Sequence, residues 1–432
     1  MTDARVLAVQ RLLRVEDDGA HVARLADGAS SPEVSRRAVD YVSGVTRQKR
    51  YLDFLIGKFY KGRLGDLDPE LLQVLRIGAY DLVVREVAPH AAVNEAVETA
   101  KALLHRGAAG VANGVLRALD RARQFGSLPE PVGKDPADAL AIRYSHPTWT
   151  VRRWLARWGE DATRAFLEAT NTRGGYTIRA VDPEALAPRL AELGVEAERL
   201  DAAPAFFRVD RLQPILRSGL IEEGACAVQD LAAGLVVHAL DPQPGERVLD
   251  AAAAPGGKAV YAALRMGAGE VVALDVSEAK ARLVRQSAER QGAGIVRAAV
   301  GDLTTWTADA PFDRVLLDAP CSGSGVLAKR ADLRWRRSPE QLAELADLQD
   351  RLLAAAARHV RPGGLLVYST CSVEPEENDD RVAAFLASHP GFALEPVGDL
   401  VPASFRGGPV YRALPHVHAT DGAYAARLRN IP

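Results

Sequence analysis

The sequence predicts an α/β protein built around a doubly wound, mostly parallel sheet in residues 226–432. Apolar runs of strand length alternate there with segments of helical periodicity, a pattern typical of a parallel sheet with helices on both faces. Four Asp residues and two Cys residues follow those apolar runs. Because open α/β sheets bind ligands beyond the carboxyl ends of their strands, these side chains indicate where a site would lie.

The first 128 residues predict an all-α domain. Val6 and Val9 recur at helical spacing near the start of the chain. The clearest helix begins at Asp68, an N-cap residue, and Pro69 follows at the first helical position. The Pro-containing stretch 126–137 then reads as a linker.

Residues 138–225 predict a small α+β subdomain between the helical domain and the parallel sheet. Strands are expected over 171–181 and 205–209. The residues expected to pack in a core are Trp154 and Trp158, one helical turn apart, and Cys226.

A loop rich in small residues follows the first predicted strand of the parallel sheet, 246–250, and leads into a helix from about Ala259 to Leu264. A Gly pair between a strand and a helix lets backbone N–H groups approach a ligand near the positive end of the helix. The spacing matches neither the dinucleotide fingerprint nor the P-loop. The candidate cofactor-binding residues of this loop are Ala251, Ala252, Ala253, Ala254, Pro255, Gly256, Gly257 and Lys258.

Carboxylates end the predicted strands. Asp250 ends the first, and Asp275 ends the second, at a spacing that suits an acid accepting both ribose hydroxyls of a nucleoside. Asp302 follows the third strand, where it could accept from an adenine amine, and Asp318 ends the fourth. The series predicts a pocket for an adenosine with a short polar tail. S-adenosylmethionine fits this better than NAD, which needs a second nucleotide-sized crevice.

Two cysteines follow apolar runs in similar settings, Cys321 after Asp318-Ala319-Pro320 and Cys371 after Ser369-Thr370. A thiolate that adds to carbon 6 of cytosine makes carbon 5 nucleophilic toward a methyl sulfonium, which is the logic of covalent catalysis. Asp318, if protonated in a dry pocket, could act as an acid near ring nitrogen 3. A second thiol could serve as base in product release. These residues do not decide which cysteine attacks.

The loop and the two cysteine motifs resemble those of the Sun-type (NSUN) RNA 5-methylcytosine methyltransferases. The resemblance implies that Cys371 is the nucleophile and that Cys321 assists product release, the opposite of DNA cytosine methylases. It implies cofactor contacts from residues 251–257, Asp275, Asp302 and Asp318. It also implies a Rossmann-like domain preceded by a small α+β subdomain and a NusB-like RNA-binding domain, with 16S rRNA as the expected substrate.

Three positions depart from the family pattern. Ala252 and Ala259 stand where the family usually has Cys and Thr, and Ala331 stands where it usually has Pro. The first two lie in or beside the cofactor loop and not at the attacking thiol, so we expect activity to be retained.

Composition predicts a soluble, cytoplasmic protein, expected to be monomeric. Hydrophobic residues make up 48% of the 432 residues and charged residues 25%, and no apolar run is long enough to span a membrane. The N-terminus lacks a signal-peptide pattern. Three widely separated cysteines favour a reducing compartment and, with the scattered histidines, argue against a metal site.

The net charge of −2 means that any RNA-binding surface is local. Two basic stretches interleaved with aromatic residues are candidates, 47–63 and 329–337. We interpret the first as a solvated helix face over core aromatics. RNA contact is expected from the second, which follows the Cys321 loop and contains Arg334, Arg336 and Arg337 around Trp335.

Two other functions are compatible with the sequence. One is a NusB-like RNA-binding regulator that carries an inactive methyltransferase fold, against which both cysteine motifs and the strand-end Asp residues argue. The other is a cytosine-C5 methyltransferase that acts on tRNA or another polynucleotide. Only the resemblance of the helical domain favours rRNA.

Overall fold

The computed structural model describes residues 4–17, 31–172 and 175–431. The chain divides into two compact units. The first contains residues 1–172 together with 327–336, and the second contains 173–326 together with 337–432.

The described residues of the first unit are helical. Ser31 and Asp68 are N-cap residues whose side chains accept from first-turn N–H groups, and Pro follows each of them, as predicted for Asp68. Apolar residues from the first five helices form one core. The helices are α1 (Ala4–Asp17), α2 (Pro32–Phe59), α3 (Pro69–Val83), α4 (Pro89–Leu103), α5 (Arg106–Gln124), α6 (Pro136–Arg143), α7 (Thr148–Asn171) and, later in the chain, α13 (Leu333–Arg336).

Helix α7 corrects one prediction and bears on another. The strand predicted over 171–181 is wrong at its start, because α7 continues to Asn171; residues 173 and 174 lie outside the described part, and the strand begins at Tyr176. Trp154 is buried as expected, and its ring stacks on half-buried Trp158 with centroids 6.3 Å apart. The linker prediction over 126–137 also overruns, since α6 begins at Pro136.

A small antiparallel sheet opens the second unit. Its strand order is β2-β3-β1-β4, with helices α8 and α9 in the connections. Cys226 is buried in its core as predicted, and burial raises the pKa of this thiol to about 11, so it is a packing residue. The elements are β1 (Tyr176–Ala180), α8 (Pro183–Glu192), β2 (Ala197–Arg199), β3 (Phe206–Val209), α9 (Gln213–Arg217) and β4 (Cys226–Val228).

The rest of the second unit forms a large sheet with helices on both faces, which confirms the predicted fold class. The helices are α10 (Leu231–Leu240), α11 (Gly257–Met266), α12 (Glu278–Arg290), α14 (Pro339–Ala357), α15 (Asp379–Ser388) and α16 (Pro415–His418). The strands are β5 (Arg247–Asp250), β6 (Glu270–Asp275), β7 (Val296–Val300), β8 (Phe312–Asp318), β9 (Val360–Thr370), β10 (Phe392–Glu395), β11 (Arg406–Gly407), β12 (Val410–Ala413) and β13 (Ala423–Asn430).

The strand order of the large sheet places a switch point beside β5. Strands β7-β6-β5-β8-β9 are parallel, and β13, β12 and β11 extend the sheet antiparallel from β9, while β10 pairs with β13. The chain passes from β5 to β6 and β7 on one side and then returns to β8 on the other. Such a reversal opens a crevice at the carboxyl ends of the strands.

Apolar cores cover both faces of this sheet. Helices α10, α11 and α12 contribute buried residues to the core on one face, and α14 and α15 contribute to the core on the other. The central strands are buried on both sides, which explains their continuous apolar runs. No helix among the described residues is long and apolar enough to cross a bilayer.

Candidate active site

The loop between β5 and α11 has the geometry of an anion-binding turn. Gly256, the N-cap of α11, has a φ of 104° and would bring a Cβ atom to 3.2 Å from Val284 Cα, so glycine is required there. Backbone bonds from Ala251 N to Leu316 O (2.8 Å) and from Ala253 N to Leu274 O (2.9 Å) fix the loop to the neighbouring strands. A glycine N-cap leaves the first-turn N–H groups of α11 without a side-chain acceptor, which suits an anionic ligand group.

Asp275 and Asp302 lie at the ends of adjacent strands β6 and β7. Asp275 is 7% exposed and its Oδ2 accepts from Ala254 N at 3.3 Å, while Oδ1 faces Lys280 Nζ at 3.3 Å. Asp302 is exposed, and its Oδ1 accepts from Thr304 N (2.8 Å) and Thr304 Oγ1 (2.7 Å); the backbone bond is the main cause of its lowered pKa. Both carboxylates are therefore held as acceptors at one edge of the sheet.

Two apolar side chains beside these carboxylates were missed by the sequence analysis. Val276 directly follows Asp275 and is 66% exposed, and Val300, at the end of β7, is 44% exposed. Exposed apolar residues next to buried acceptors suit a flat heterocycle with a polar edge. Their position immediately beside the strand-end acids was the available signal.

Asp250 differs from the other strand-end acids. It is 2% exposed, and its Oδ1 is buried without a hydrogen-bond partner. Burial raises the pKa of Asp250 to about 7, against the opposing effect of Lys258. This residue lies beneath the loop and tunes the electrostatics of the site.

Lys258 and Asp318 form an ion pair at the centre of the site. Lys258 Nζ donates to Asp318 Oδ2 at 2.6 Å, and Ser369 Oγ donates to Asp318 Oδ1 at 2.8 Å. Burial lowers the pKa of Lys258, but Asp318 outweighs it, with further support from Asp250 and Cys371, so the net pKa lies above its usual value. Both oxygens of Asp318 act as acceptors here, which favours its charged form and makes Lys258 the acidic partner.

Cys321 and Cys371 are free thiols brought together from the ends of β8 and β9. Their Sγ atoms lie 3.2 Å apart. The hydrogen bond with Cys371, followed by burial and the charge of Cys371, raises the pKa of the Cys321 thiol well above its usual value. When one thiol of the pair ionises, Cys321 keeps its proton, and the charge falls to Cys371, close to the Lys258 ammonium.

The RNA contact predicted for 329–337 is wrong for Arg334 and Trp335. Arg334 is 3% exposed and donates to Arg47 O (3.2 Å), Ser145 O (3.1 Å) and Asn171 Oδ1 (2.8 Å). Trp335 Nε1 donates to Thr46 O at 2.7 Å. Burial lowers the pKa of Arg334 to about 9, with a smaller effect from Arg47. The guanidinium thus satisfies backbone carbonyls inside the helical unit.

The other basic residues divide into bound and exposed groups. Arg336 pairs with Asp332 at 3.1 Å, and Arg337 donates to Ser322 O at 3.1 Å and to Cys321 O at 3.3 Å. In the stretch 47–63, the cations at the start are bonded within the protein and those at the end are exposed. The bonded ones are Arg47, Lys49 and Arg50, and the exposed ones are Lys58, Lys61 and Arg63.

Three family descriptions match the chain in the order in which its parts occur. They are the NusB family over residues 2–121, the ferredoxin-like domain of RsmF/B-like methyltransferases over 146–216, and 16S rRNA methyltransferase RsmB/F over 237–429. The "Probable ribosomal RNA small subunit methyltransferase B" of Bacillus subtilis (strain 168) is 33% identical, and the match covers 99% of both chains. The chain belongs to the ribosomal RNA small subunit methyltransferase B family.

Other members of this family and several solved structures agree in sequence and fold. The Klebsiella pneumoniae ribosomal RNA small subunit methyltransferase B is 35% identical over 89% of this chain and 88% of its own. The crystal structure of PH0851 is 27% identical, covers 99% of both chains and has a TM-score of 0.78. A methyltransferase homologue from Pyrococcus horikoshii is 29% identical, with a TM-score of 0.60, over 69% of this chain and 100% of its own.

Membership in the methyltransferase B family confirms the predicted methyltransferase class and its cofactor, S-adenosylmethionine. The loop and carboxylates fit this cofactor, since Asp275 offers a buried oxygen without a hydrogen-bond partner beside an uncapped helix N-terminus. In the described ranges, no cluster of three or more His, Cys, Asp or Glu side chains could hold a metal ion.

Proposed function

We propose that the protein transfers a methyl group from S-adenosylmethionine to carbon 5 of a cytosine in 16S rRNA, through a covalent adduct between Cys371 and carbon 6. The observation that carries this proposal is the pair of thiols 3.2 Å apart at the ends of two adjacent parallel strands. A buried ammonium, Lys258, lies beside them. A thiolate and a proton donor are what addition to a pyrimidine ring requires.

The cofactor would be held by the loop 251–257, with Asp275 accepting from the ribose and Asp302 from the adenine amine. S-adenosylmethionine supplies an electrophilic methyl group. Asp318 and the N-terminus of α11 would orient the polar tail. Val276 would cover a face of the adenine, because an exposed valine next to a buried carboxylate otherwise loses free energy to water.

Cys371 is the nucleophile in this proposal. Its partner Cys321 retains the shared proton, so ionisation of the pair gives a Cys371 thiolate that accepts from the Cys321 S–H group. Attack forms the bond between Sγ and carbon 6 and places negative charge on the ring. Lys258, with three N–H donors and only part of that capacity used by Asp318, would donate to ring nitrogen 3 or its neighbouring oxygen.

Cys321 becomes the base after the adduct has formed. As a thioether, Cys371 carries no charge and no longer raises the pKa of Cys321, so the second thiol can ionise. Its thiolate would remove the proton on carbon 5, the electron pair would restore the double bond to carbon 6, and the Cys371 thiolate would leave. The coupling of the two thiols therefore orders attack before release.

The RNA-binding part of the proposal assigns residues 1–128 to substrate binding, 138–225 to a connecting subdomain and 226–432 to catalysis. Support comes from the match of the NusB family to residues 2–121. The exposed cations at Lys58, Lys61 and Arg63 are available for phosphate contacts.

Bisulfite sequencing of 16S rRNA from cells with and without the gene tests the proposed function. We expect one cytosine to be protected from conversion only when the gene is present, and purified protein with S-adenosylmethionine to restore it. An unmethylated 16S rRNA with a methylated tRNA would favour the tRNA alternative. RNA binding without methylation of any RNA would favour the regulator with an inactive methyltransferase fold.

A further inference from the structure

We propose that Glu377 is a positioning residue that holds the two catalytic thiols at a fixed separation through the serine that follows each cysteine. The inference rests on the proposed function and assigns a role in that same site to a residue of the turn after β9. Glu377 does not touch either sulfur in this arrangement; it acts through Ser322 and Ser372.

Both serines donate to one carboxylate oxygen. Ser322 Oγ and Ser372 Oγ each lie 2.5 Å from Glu377 Oε2, and the two hydroxyl oxygens lie 3.1 Å from each other. Ser322 N donates to the other oxygen, Oε1, at 2.7 Å. Since Ser322 follows Cys321 and Ser372 follows Cys371, one carboxylate joins the backbones of both cysteine loops.

A fourth donor extends the connection to the residue before Cys321. Gln349 Nε2, from α14, donates to Glu377 Oε1 at 3.0 Å and to Pro320 O at 2.9 Å. Glu377 itself is anchored by Tyr368 OH, which donates to its backbone carbonyl at 2.6 Å. The Cys321 loop is thus held on both sides of the thiol.

Burial makes these contacts strict. Glu377 is 0% exposed, and the four donors to its carboxylate are neutral groups. Displacement of either loop would leave a buried carboxylate short of donors, at a cost greater than that of an ordinary hydrogen bond. The positions of the two loops are therefore coupled to each other.

The charge of Glu377 also acts on the nearer thiol. After the hydrogen bond with Cys371, burial and the charge of Cys371, the Glu377 carboxylate is a further cause of the raised pKa of Cys321. A neutral residue at position 377 would lower that pKa and let Cys321 compete for the negative charge. A purely structural residue would not have this effect.

The first test measures the separation of the thiols without RNA or cofactor. Diamide takes two electrons and two protons from the Cys321 and Cys371 thiols and leaves a disulfide, whose rate of formation depends on their alignment. We expect oxidation of Glu377→Gln in the full-length protein to be about 100-fold slower than in the native protein, the size of effect that a misplacement of about 1 Å produces. Glu344→Gln, on the exposed face of α14, is the matched control and should match the native rate.

The second test measures the coupling of the serines through the carboxylate. Ser372→Ala should slow thiol oxidation in the native background and have little further effect in Glu377→Gln, because the shared acceptor is already lost. If Glu377→Gln does not fold, the pair Ser322→Ala and Ser372→Ala with their double variant gives the same cycle. Strictly additive effects of the two serines would overturn the proposal.

The third measurement separates the two proposals. The pH profile of methylation by Glu377→Gln should have its alkaline limb shifted to lower pH, because Cys321 ionises more readily, with unchanged affinity for S-adenosylhomocysteine. Native oxidation rates and an unshifted pH profile in a folded Glu377→Gln variant would overturn the role of Glu377. Native protein that forms a disulfide rapidly but methylates no RNA would overturn the proposed function alone.

Discussion

Cys321 Sγ lies 3.2 Å from Cys371 Sγ, and burial with the hydrogen bond between them raises the pKa of the Cys321 thiol. Two equivalent thiols at this distance could exchange roles freely. The environment makes them unequal, because Cys371 is the one near the Lys258 ammonium. Geometry therefore distinguishes residues that the sequence motifs alone leave equivalent.

The first prediction concerns which thiol attacks. Cys371→Ser should neither methylate RNA nor form a covalent adduct, since a hydroxyl is far less nucleophilic than a thiolate. Cys321→Ser should attack and transfer the methyl group, then remain attached to RNA. A denaturing gel with labelled RNA and S-adenosylmethionine should show a shifted band only for Cys321→Ser, and the reverse pattern would assign attack to Cys321.

The second prediction concerns the cofactor. Asp275→Ala should lose most of the affinity for S-adenosylmethionine, because two ribose hydroxyls lose a charged acceptor worth about 1.5–3 kcal/mol each. Isothermal calorimetry measures the loss. The exposed Asp201→Ala is the control and should bind normally. Unchanged affinity in folded Asp275→Ala would remove the ribose assignment.

The third prediction concerns pH and Asp250. Its pKa is about 7 in the folded protein against an ordinary value of 3.8, so the folded state binds the proton more tightly than the unfolded state. Native stability should therefore fall as pH rises from about 4 to about 7. Asp250→Asn, which does not titrate, should be more stable than the native protein at pH 8 by about 2–4 kcal/mol and lose this advantage near pH 4.

Urea unfolding without cofactor at the two pH values measures that difference. Asp201→Asn serves as the control, because this carboxylate is exposed. An advantage of Asp250→Asn that does not depend on pH would show that packing, and not the proton, accounts for it.

The fourth prediction concerns Arg334. Arg334→Ala should destabilise the protein by about 3 kcal/mol or more, because several buried carbonyls lose their donor. The salt dependence of RNA binding should not change. Arg330→Ala, at an exposed position of the same stretch, is the control for stability. Reversal of Lys58, Lys61 and Arg63 to Glu should instead flatten the salt dependence by about 0.7–0.9 per lost phosphate contact.

The sequence predicted the parallel strands and their terminal acids because both follow from local rules. A strand buried on both faces is a continuous apolar run, and a polar residue at its end marks the loop, as at Asp275 and Asp318. The separation of the thiols depends on the strand order, in which β8 and β9 are neighbours, and on the pairing of Asp318 with Ser369. Neither can be read from spacing along the chain.

The roles of Lys258, Arg334 and Glu377 were not predicted, and the reason is the same for each. A charged residue in a sequence indicates solvent or a ligand, since isolated charges are seldom buried. Here each one is buried with partners that are distant in sequence: Asp318 for Lys258, Asn171 for Arg334 and Ser322 for Glu377. Only the three-dimensional arrangement reveals those partners.

The short segment 327–336 gives the protein an unusual dependence between its parts. It belongs to the helical unit by its contacts, although the chain reaches it only after building most of the parallel sheet. A gene that encoded residues 1–172 alone would leave Ser145 O and Thr46 O without the Arg334 and Trp335 side chains that donate to them. The helical unit is thus completed last during synthesis, and it cannot be exchanged between proteins as a free-standing module.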